Sequence, residues 1–270
     1  MKKFYLLLLF CFFSKISLAQ YPIYIALTHP RATGTAFEMI FRTTDELEVM
    51  HAPFLNPYIV QKYPQDHAFV RLLPNSTVTF DEVVDTIIEK AQHAPVFIKE
   101  SAYVLLKYMQ HNLDFFKRDQ VKLLVYVRNP AKSIISLYRK LPSVDDSVIG
   151  HRELWQVYEL LKSHKPILVI DSDKFLTDTK NYLNLINEHW SLNIDKSNLA
   201  WEPQFAPDWH FKSFYSEVSA SQELGGPTPE IELDIHELPM YEEVKNEEDK
   251  RRLQELYKIH FPFYEKLLTA

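Results

Sequence analysis

The run Leu123-Leu124-Val125-Tyr126-Val127 constrains this chain more than any other segment. Five apolar residues without a polar interruption describe a strand covered on both faces, and such strands belong to parallel sheets packed between helices. A strand with one wet face would alternate apolar and polar residues instead. The strand is read over 122–127, and further strand candidates are 23–28, 47–51, 96–99 and 167–171. Between them lie helical periodicities over 35–43, 81–92, 101–113, 131–139, 151–163 and 177–189. The second of these opens on Asp81-Glu82, an acidic first turn, and carries Val83, Val84, Ile87 and Ile88 on one face. Alternation of this kind predicts an α/β fold, a three-layer sandwich with a mainly parallel sheet. A chain of 270 residues with 46% apolar content suits one such domain with a sizeable core.

Open α/β sheets bind ligands beyond the carboxyl ends of their strands, and two such ends carry cations. Arg128 follows the central apolar run, and Asn129-Pro130 then starts a helix, with proline where a missing N–H does no harm. Ser136 lies eight residues after Arg128, in the second turn. The other end is Tyr24-Ile25-Ala26-Leu27-Thr28-His29-Pro30-Arg31-Ala32-Thr33-Gly34-Thr35-Ala36-Phe37. There an apolar strand passes through a cation-bearing loop into a helix with Ala36, Phe37, Ile40 and Phe41 on one face. Strand, loop and helix start form a cradle for an anion, because free N–H groups and the positive dipole end point at it. Gly34 is one of only four glycines, and its place in the turn suits a backbone that approaches an oxyanion closely. Arg31, Thr33 and Thr35 add charged and neutral donors. The G-x-x-x-x-G-K-[ST] phosphate loop is absent, since no Gly-Lys-Ser/Thr occurs.

The first loop resembles the 5′-phosphosulfate loop of sulfotransferases, a strand followed by Pro-Lys/Arg-Ser-Gly-Thr-Thr-like residues. Arg128-Asn129-Pro130 with Ser136 is similar to the element those enzymes use on the 3′-phosphate of their donor. On these residues, in this order, the chain resembles the sulfotransferases that use 3′-phosphoadenosine 5′-phosphosulfate (PAPS), in their divergent bacterial and fungal branch. Met50-His51-Ala52-Pro53-Phe54 is similar to that branch's His-Glu-Pro-Phe, and Ile98-Lys99-Glu100-Ser101 to its Lys-Asp-Met. Leu168-Val169-Ile170-Asp171-Ser172-Asp173 and Leu199-Ala200-Trp201-Glu202-Pro203 match further elements, the last its Trp-Glu-Pro. The likeness spans roughly residues 23 to 215. It departs at Ala32 and Ala36, which stand where hydroxyl residues are usual, and no Arg-Lys-Gly-x-x-Gly element follows.

The resemblance implies a P-loop nucleotide-hydrolase-like sulfotransferase fold. It also implies a donor site built from Arg31, Ala32, Thr33, Gly34, Thr35, Ala36, Arg128 and Ser136. PAPS is then a co-substrate, and a hydroxylated small molecule or carbohydrate is the acceptor. Sulfuryl transfer needs a base on the hydroxyl and positive charge on the departing phosphate, which cationic side chains can supply without a metal. Lys99 is assigned to the leaving group together with Arg31. Two residues compete as base: His51, which titrates near neutrality, and Glu100, the neighbour of Lys99. Asp171, Asp173 and Asp178 are read as helix-capping carboxylates, and no metal site is expected. Two other classes remain open at this stage: a kinase-like group transferase and a non-catalytic exported binding protein.

Met1-Lys2-Lys3, the apolar stretch Phe4 to Phe13, and Ser17-Leu18-Ala19 have the three regions of a secretory signal peptide, too short to span a bilayer. Export to the periplasm or medium is therefore expected, the alternative being a leader retained on a cytoplasmic protein. Removing residues 1–19 takes away Lys2, Lys3 and Lys15, so the net charge goes from −6 to −9. It also removes Cys11, the only cysteine, and with it any disulfide, thiol nucleophile or thiolate ligand. An acidic chain is a poor general binder of nucleic acid. The rest, 20–270, is read as one domain, with 201–270 as a lid or a wrap on the core. Residues 244–260 read as a charged helix with a solvated face, interrupted by Pro262.

Overall fold

The computed structural model describes residues 21–73, 75, 77–225, 241, 242 and 244–270, so the expected leader lies outside the described residues. Five strands are present among them: β1 (Ile23–Thr28), β2 (Glu48–His51), β3 (Val96–Ser101), β4 (Val121–Val127) and β5 (Ile167–Asp171). They form one sheet in the order β2-β3-β1-β4-β5, and every pairing is parallel. The chain runs outward from β1 to β2, returns to β3, then crosses to β4 and β5. The strand order therefore reverses beside β1, and the crevice above the carboxyl ends of β1 and β4 is the place where open sheets bind ligands.

The α-helices among the described residues are α1 (Gly34–Arg42), α2 (Leu55–Lys62), α3 (Ala68–Arg71), α4 (Phe80–Lys90), α5 (Ala102–Met109), α6 (Asp114–Lys117), α7 (Pro130–Lys140), α8 (His151–Leu161), α9 (Ser172–Thr177), α10 (Thr179–Trp190), α11 (Lys212–Ser219) and α12 (Glu247–Leu268). Side chains alternate across the sheet, and each face has its own core. Ile23, Ile25, Leu27, Ile98, Leu123 and Val125 pack against α4, α5, α8 and α12. Tyr24, Ala26, Phe97, Leu124 and Tyr126 pack against α1, α9 and α10. On the second face Phe41 stacks on Phe97 with ring centroids 3.8 Å apart, and Phe37 stacks on Tyr126 at 4.3 Å. Burying each such ring contributes roughly 1.5–3 kcal/mol, which anchors α1 to β3 and β4.

Local signals explain several helix starts. Thr79 and Glu82 form a reciprocal capping box at α4. Asn129 caps α7 by accepting from the Ala131 N–H at 2.8 Å, with Pro130 in the first turn. Asp171 caps α9 by accepting from the Asp173 N–H at 2.8 Å, the role read for it, whereas Asp173 faces Arg128 and Lys132 and Asp178 makes no side-chain cap bond at α10.

Three local readings are corrected. The helix expected over 101–113 stops at Met109, and a separate short helix covers Asp114–Lys117. α2, α3, α9 and α11 have no counterpart among the expected helices. The C-terminal helix is not ended by Pro262 but runs on to Leu268. It does so because Leu253, Leu256, His260, Tyr264 and Leu267 form a buried stripe along its whole length, and that packing outweighs the lost backbone hydrogen bond. Only the outward side of this helix is solvated. In the first loop the special backbone conformations fall on residues other than glycine. The left-handed residues there are Arg31 (φ 62°) and Thr33 (φ 61°).

Candidate functional site

The first loop ends in an open helix terminus. Thr33, at the cap of α1, makes no side-chain cap hydrogen bond, and no acidic residue stands in the first turn. Its hydroxyl instead donates to the Ala32 carbonyl at 2.6 Å and lies 3.3 Å from the Tyr126 hydroxyl. The N–H groups of Gly34, Thr35 and Ala36 precede the first intrahelical acceptor and point outward together. Two non-glycine residues held left-handed just before them cost about 1–3 kcal/mol each, a cost borne most often at ligand sites. Ala32 is buried in the core and contributes only its backbone here, while Ala36 packs beside Met39, Trp201 and Trp209.

Gly34 serves the side chain beneath it. A Cβ at this position would stand 3.2 Å from Lys99 Cδ and 3.3 Å from Thr28 Cγ2. The glycine is thus the gap through which the Lys99 stem rises under the open end of α1. Lys99 makes no ion pair or side-chain hydrogen bond among the described residues. Burial lowers its pKa, with Glu38 and Glu100 pulling the other way.

His51 and Lys99 are register partners on β2 and β3, so both project from the α1 face of the sheet. Ala26 is the next residue along that rung and leaves room for them. Above lies Glu38, one turn after Gly34 on α1. Its carboxylate is fully buried and accepts from three donors: His51 Nδ1 at 2.5 Å, Arg42 Nε at 2.7 Å and Trp209 Nε1 at 3.1 Å. Burial alone would raise its pKa, but His51, Lys99 and Arg42 overcome that and hold it at about 2. Burial lowers the pKa of His51, with Glu38 pulling the other way. A neutral ring that donates from Nδ1 carries its lone pair on Nε2, and Nε2 is buried without a hydrogen-bond partner among the described residues. Asp208 completes the frame by accepting from the His51 N–H and from Arg42, both at 2.7 Å. The Tyr215 ring meets the His51 ring edge-on at 4.7 Å.

Glu100 belongs to the opposite face of β3. Its oxygens accept from the Phe54 N–H at 3.0 Å and the Ser101 N–H at 2.7 Å, tying the turn after β2 to β3. Burial raises its pKa to about 7. The structure therefore brings together His51 and Lys99, and sets Glu100 behind them.

At the other side of the crevice Arg31 donates from Nε to Ser136 Oγ at 2.8 Å. Its side chain is aimed at α7 and α11, where it also pairs with Glu217 at 3.1 Å. Arg128 donates to the Arg31 carbonyl at 3.3 Å and faces Asp173 at 3.4 Å. Arg31, Arg128 and Ser136 thus form one cationic pole; the sequence paired Arg31 with Lys99, and the structure pairs it with Ser136.

Glu38, Arg42, Asp208 and Trp209 were not among the candidate residues. Glu38 carried one legible signal, an acidic residue set four before Arg42 among Phe37, Ile40 and Phe41. Asp208 and Trp209 reach the site only through folding of the segment after Trp201, which packs against Met39 of α1.

A family model described as "Sulfotransferase domain" matches residues 23–247. No curated protein sequence matches the chain. Similar solved structures include the sulfotransferase domain of the Synechococcus PCC 7002 olefin synthase, at 14% identity, 89% of this chain, 96% of that one and a TM-score of 0.48. Mouse sulfotransferase SULT7A1 complexed with PAP has 12% identity, 94% and 90% coverage and a TM-score of 0.49. A sulfotransferase from Alicyclobacillus acidocaldarius has 10% identity, 88% and 96% coverage and a TM-score of 0.46.

Proposed function

Because the chain belongs to the sulfotransferase-domain family, we propose that it moves a sulfuryl group from PAPS to a hydroxyl of a small-molecule or carbohydrate acceptor. The observation that carries this reading is the open amino end of α1 standing over the Lys99 ammonium, beside His51 Nε2, neither of which has a side-chain partner among the described residues. These groups fit the donor. The free amides of Gly34, Thr35 and Ala36 and the Lys99 cation suit the 5′-phosphosulfate, and Arg31, Arg128 and Ser136 suit the 3′-phosphate.

His51 is the base in this scheme. Its Nε2 takes the proton of the acceptor hydroxyl as that oxygen bonds to sulfur. Glu38 holds the ring by Nδ1 and stabilises the imidazolium that results, as a buried carboxylate does for a catalytic histidine elsewhere. The bond from sulfur to the phosphate oxygen breaks, and the negative charge left on that oxygen falls to Lys99 and the α1 amides. A positioned base contributes about 10²–10⁴-fold, and preorganised donors at the leaving oxygen contribute about 3–4 kcal/mol. Glu100 supports the turn carrying Pro53 and Phe54 instead of reacting.

The test is a thermal shift with two nucleotides. Adenosine 3′,5′-bisphosphate should raise the melting temperature well above the effect of adenosine 5′-phosphate, and Arg128→Ala should abolish most of the difference, since a charge-assisted contact is worth roughly 1.5–3 kcal/mol. Equal stabilisation by both nucleotides, unchanged in the variant, would refute the donor assignment.

A further inference from the structure

Behind the cationic pole lies a cluster of histidines that the scheme above does not use. His29 follows the last residue of β1, and His151 opens α8. Both are buried, and their ring centroids stand 3.8 Å apart. His29 Nε2 accepts from the Arg128 N–H at 3.0 Å, while Nδ1 donates to the Pro30 carbonyl at 3.0 Å. His151 Nε2 donates to the Arg128 carbonyl at 2.8 Å. One neutral tautomer of each ring satisfies these bonds, Nδ1–H for His29 and Nε2–H for His151.

Arg128 is the first residue past the ladder of β4, whose pairing with β1 ends at Tyr126 and with β5 at Val127. Among the described residues no strand takes its N–H or its carbonyl, and the two imidazoles do so. Gly150 permits the approach: it has φ 87°, and a Cβ there would fall 3.1 Å from His29 Cβ and 3.2 Å from Pro30 Cδ. The fold thus brings α8 against the first loop, where His151 grips Arg128 from below.

We infer that His29 and His151 are positioning residues that clamp the Arg128 peptide, aim its guanidinium, and so set the preference for a 3′-phosphorylated nucleotide. The inference rests on the reading that Arg128 contacts the 3′-phosphate. Neither histidine touches the nucleotide; each acts through the backbone of Arg128.

Side-chain length separates this role from plain packing. Glutamine places a polar atom where Nε2 stands, and asparagine reaches only as far as Nδ1. His29→Gln and His151→Gln should keep the clamp, whereas His29→Asn and His151→Asn should lose it. The readout is the ratio of dissociation constants for adenosine 5′-phosphate and adenosine 3′,5′-bisphosphate, measured by calorimetry on the full chain beside Arg128→Ala. Each asparagine variant should lower that ratio about fivefold, the worth of a neutral hydrogen bond, with adenosine 5′-phosphate binding unchanged and the glutamine variants within about twofold of wild type. If Arg128→Ala collapses the ratio and all four histidine variants leave it intact, changing only the melting temperature, the clamp is wrong and the Arg128 assignment stands. If Arg128→Ala itself leaves the ratio intact, the reading of Arg128 fails and the clamp fails with it.

Discussion

Glu38→Gln removes one buried charge and turns a carboxylate with three donors into an amide. Two routes give the cost. The pKa of Glu38 falls from the ordinary 4.5 to about 2 in the folded chain, which by linkage corresponds to about 3 kcal/mol of stability. Breaking a buried ion pair by removing one partner costs about 3–5 kcal/mol, and the lower end applies because Arg42 keeps Asp208. A loss of about 3 kcal/mol lowers the melting temperature by about 6–12 °C in a chain of this length. The sign with pH follows from the depressed carboxylate. Its contribution is complete above the unfolded value of 4.5 and is lost as pH falls towards 2, so the gap between wild type and variant stays constant from pH 7 to 5 and closes below. The chemical consequence is separate. With an amide N–H₂ facing Nδ1, His51 shifts its proton to Nε2, and the atom assigned as base no longer has a lone pair. Urea unfolding at pH 7 reads the first effect, and long-range ¹H–¹⁵N spectra of the histidine ring read the second. A variant within about 1 kcal/mol of wild type, with His51 still protonated on Nδ1, would refute the reasoning.

Three further outcomes are expected. Burial lowers the pKa of His29 well below 6.5, of His151 to about 3 and of His260 to about 4; the unfolded chain therefore takes up protons first, and stability should hold above pH 6.5 and fall below it by up to about 4 kcal/mol per pH unit for the three together, with urea midpoints that stay flat from pH 7.5 to 5 telling against it. Pro262→Ala should restore a backbone donor in the exposed turn of α12 and stabilise the chain by about 2 kcal/mol, after allowance for the greater freedom it gives the unfolded state, and a melting temperature that drops would mean the proline shapes the helix usefully. The expected leader should be cut after Ala19, and N-terminal sequencing from the native host should find Gln20 first; a cytosolic chain that keeps Met1 would contradict export.

Much of the scaffold was written in local patterns. The apolar run over β4 signals a strand covered on both faces, and that property alone demands helices on each side and a parallel sheet. The loops after β1 and β4 were legible for the same reason, since cations, glycine and helix-start residues sit within a few positions of one another. Arg31, Gly34, Arg128 and Ser136 could thus be proposed as candidates without coordinates, and the order of the two loops pointed to the family. What Gly34 does, however, depends on the Lys99 side chain from a strand some sixty residues away, and Arg31 chose Ser136 over Lys99 only when α7 came beside the loop. The His51–Glu38 pair unites an edge strand with a helix, and Asp208 and Trp209 join it from the far end of the chain. Pro262 shows the converse, a strong local stop signal overridden by a buried stripe. Local chemistry determines where strands, caps and anion loops fall, because those depend on near neighbours. Which face a carboxylate shares with a histidine depends on strand register and helix docking, and these are decided when the apolar faces find each other across the sheet.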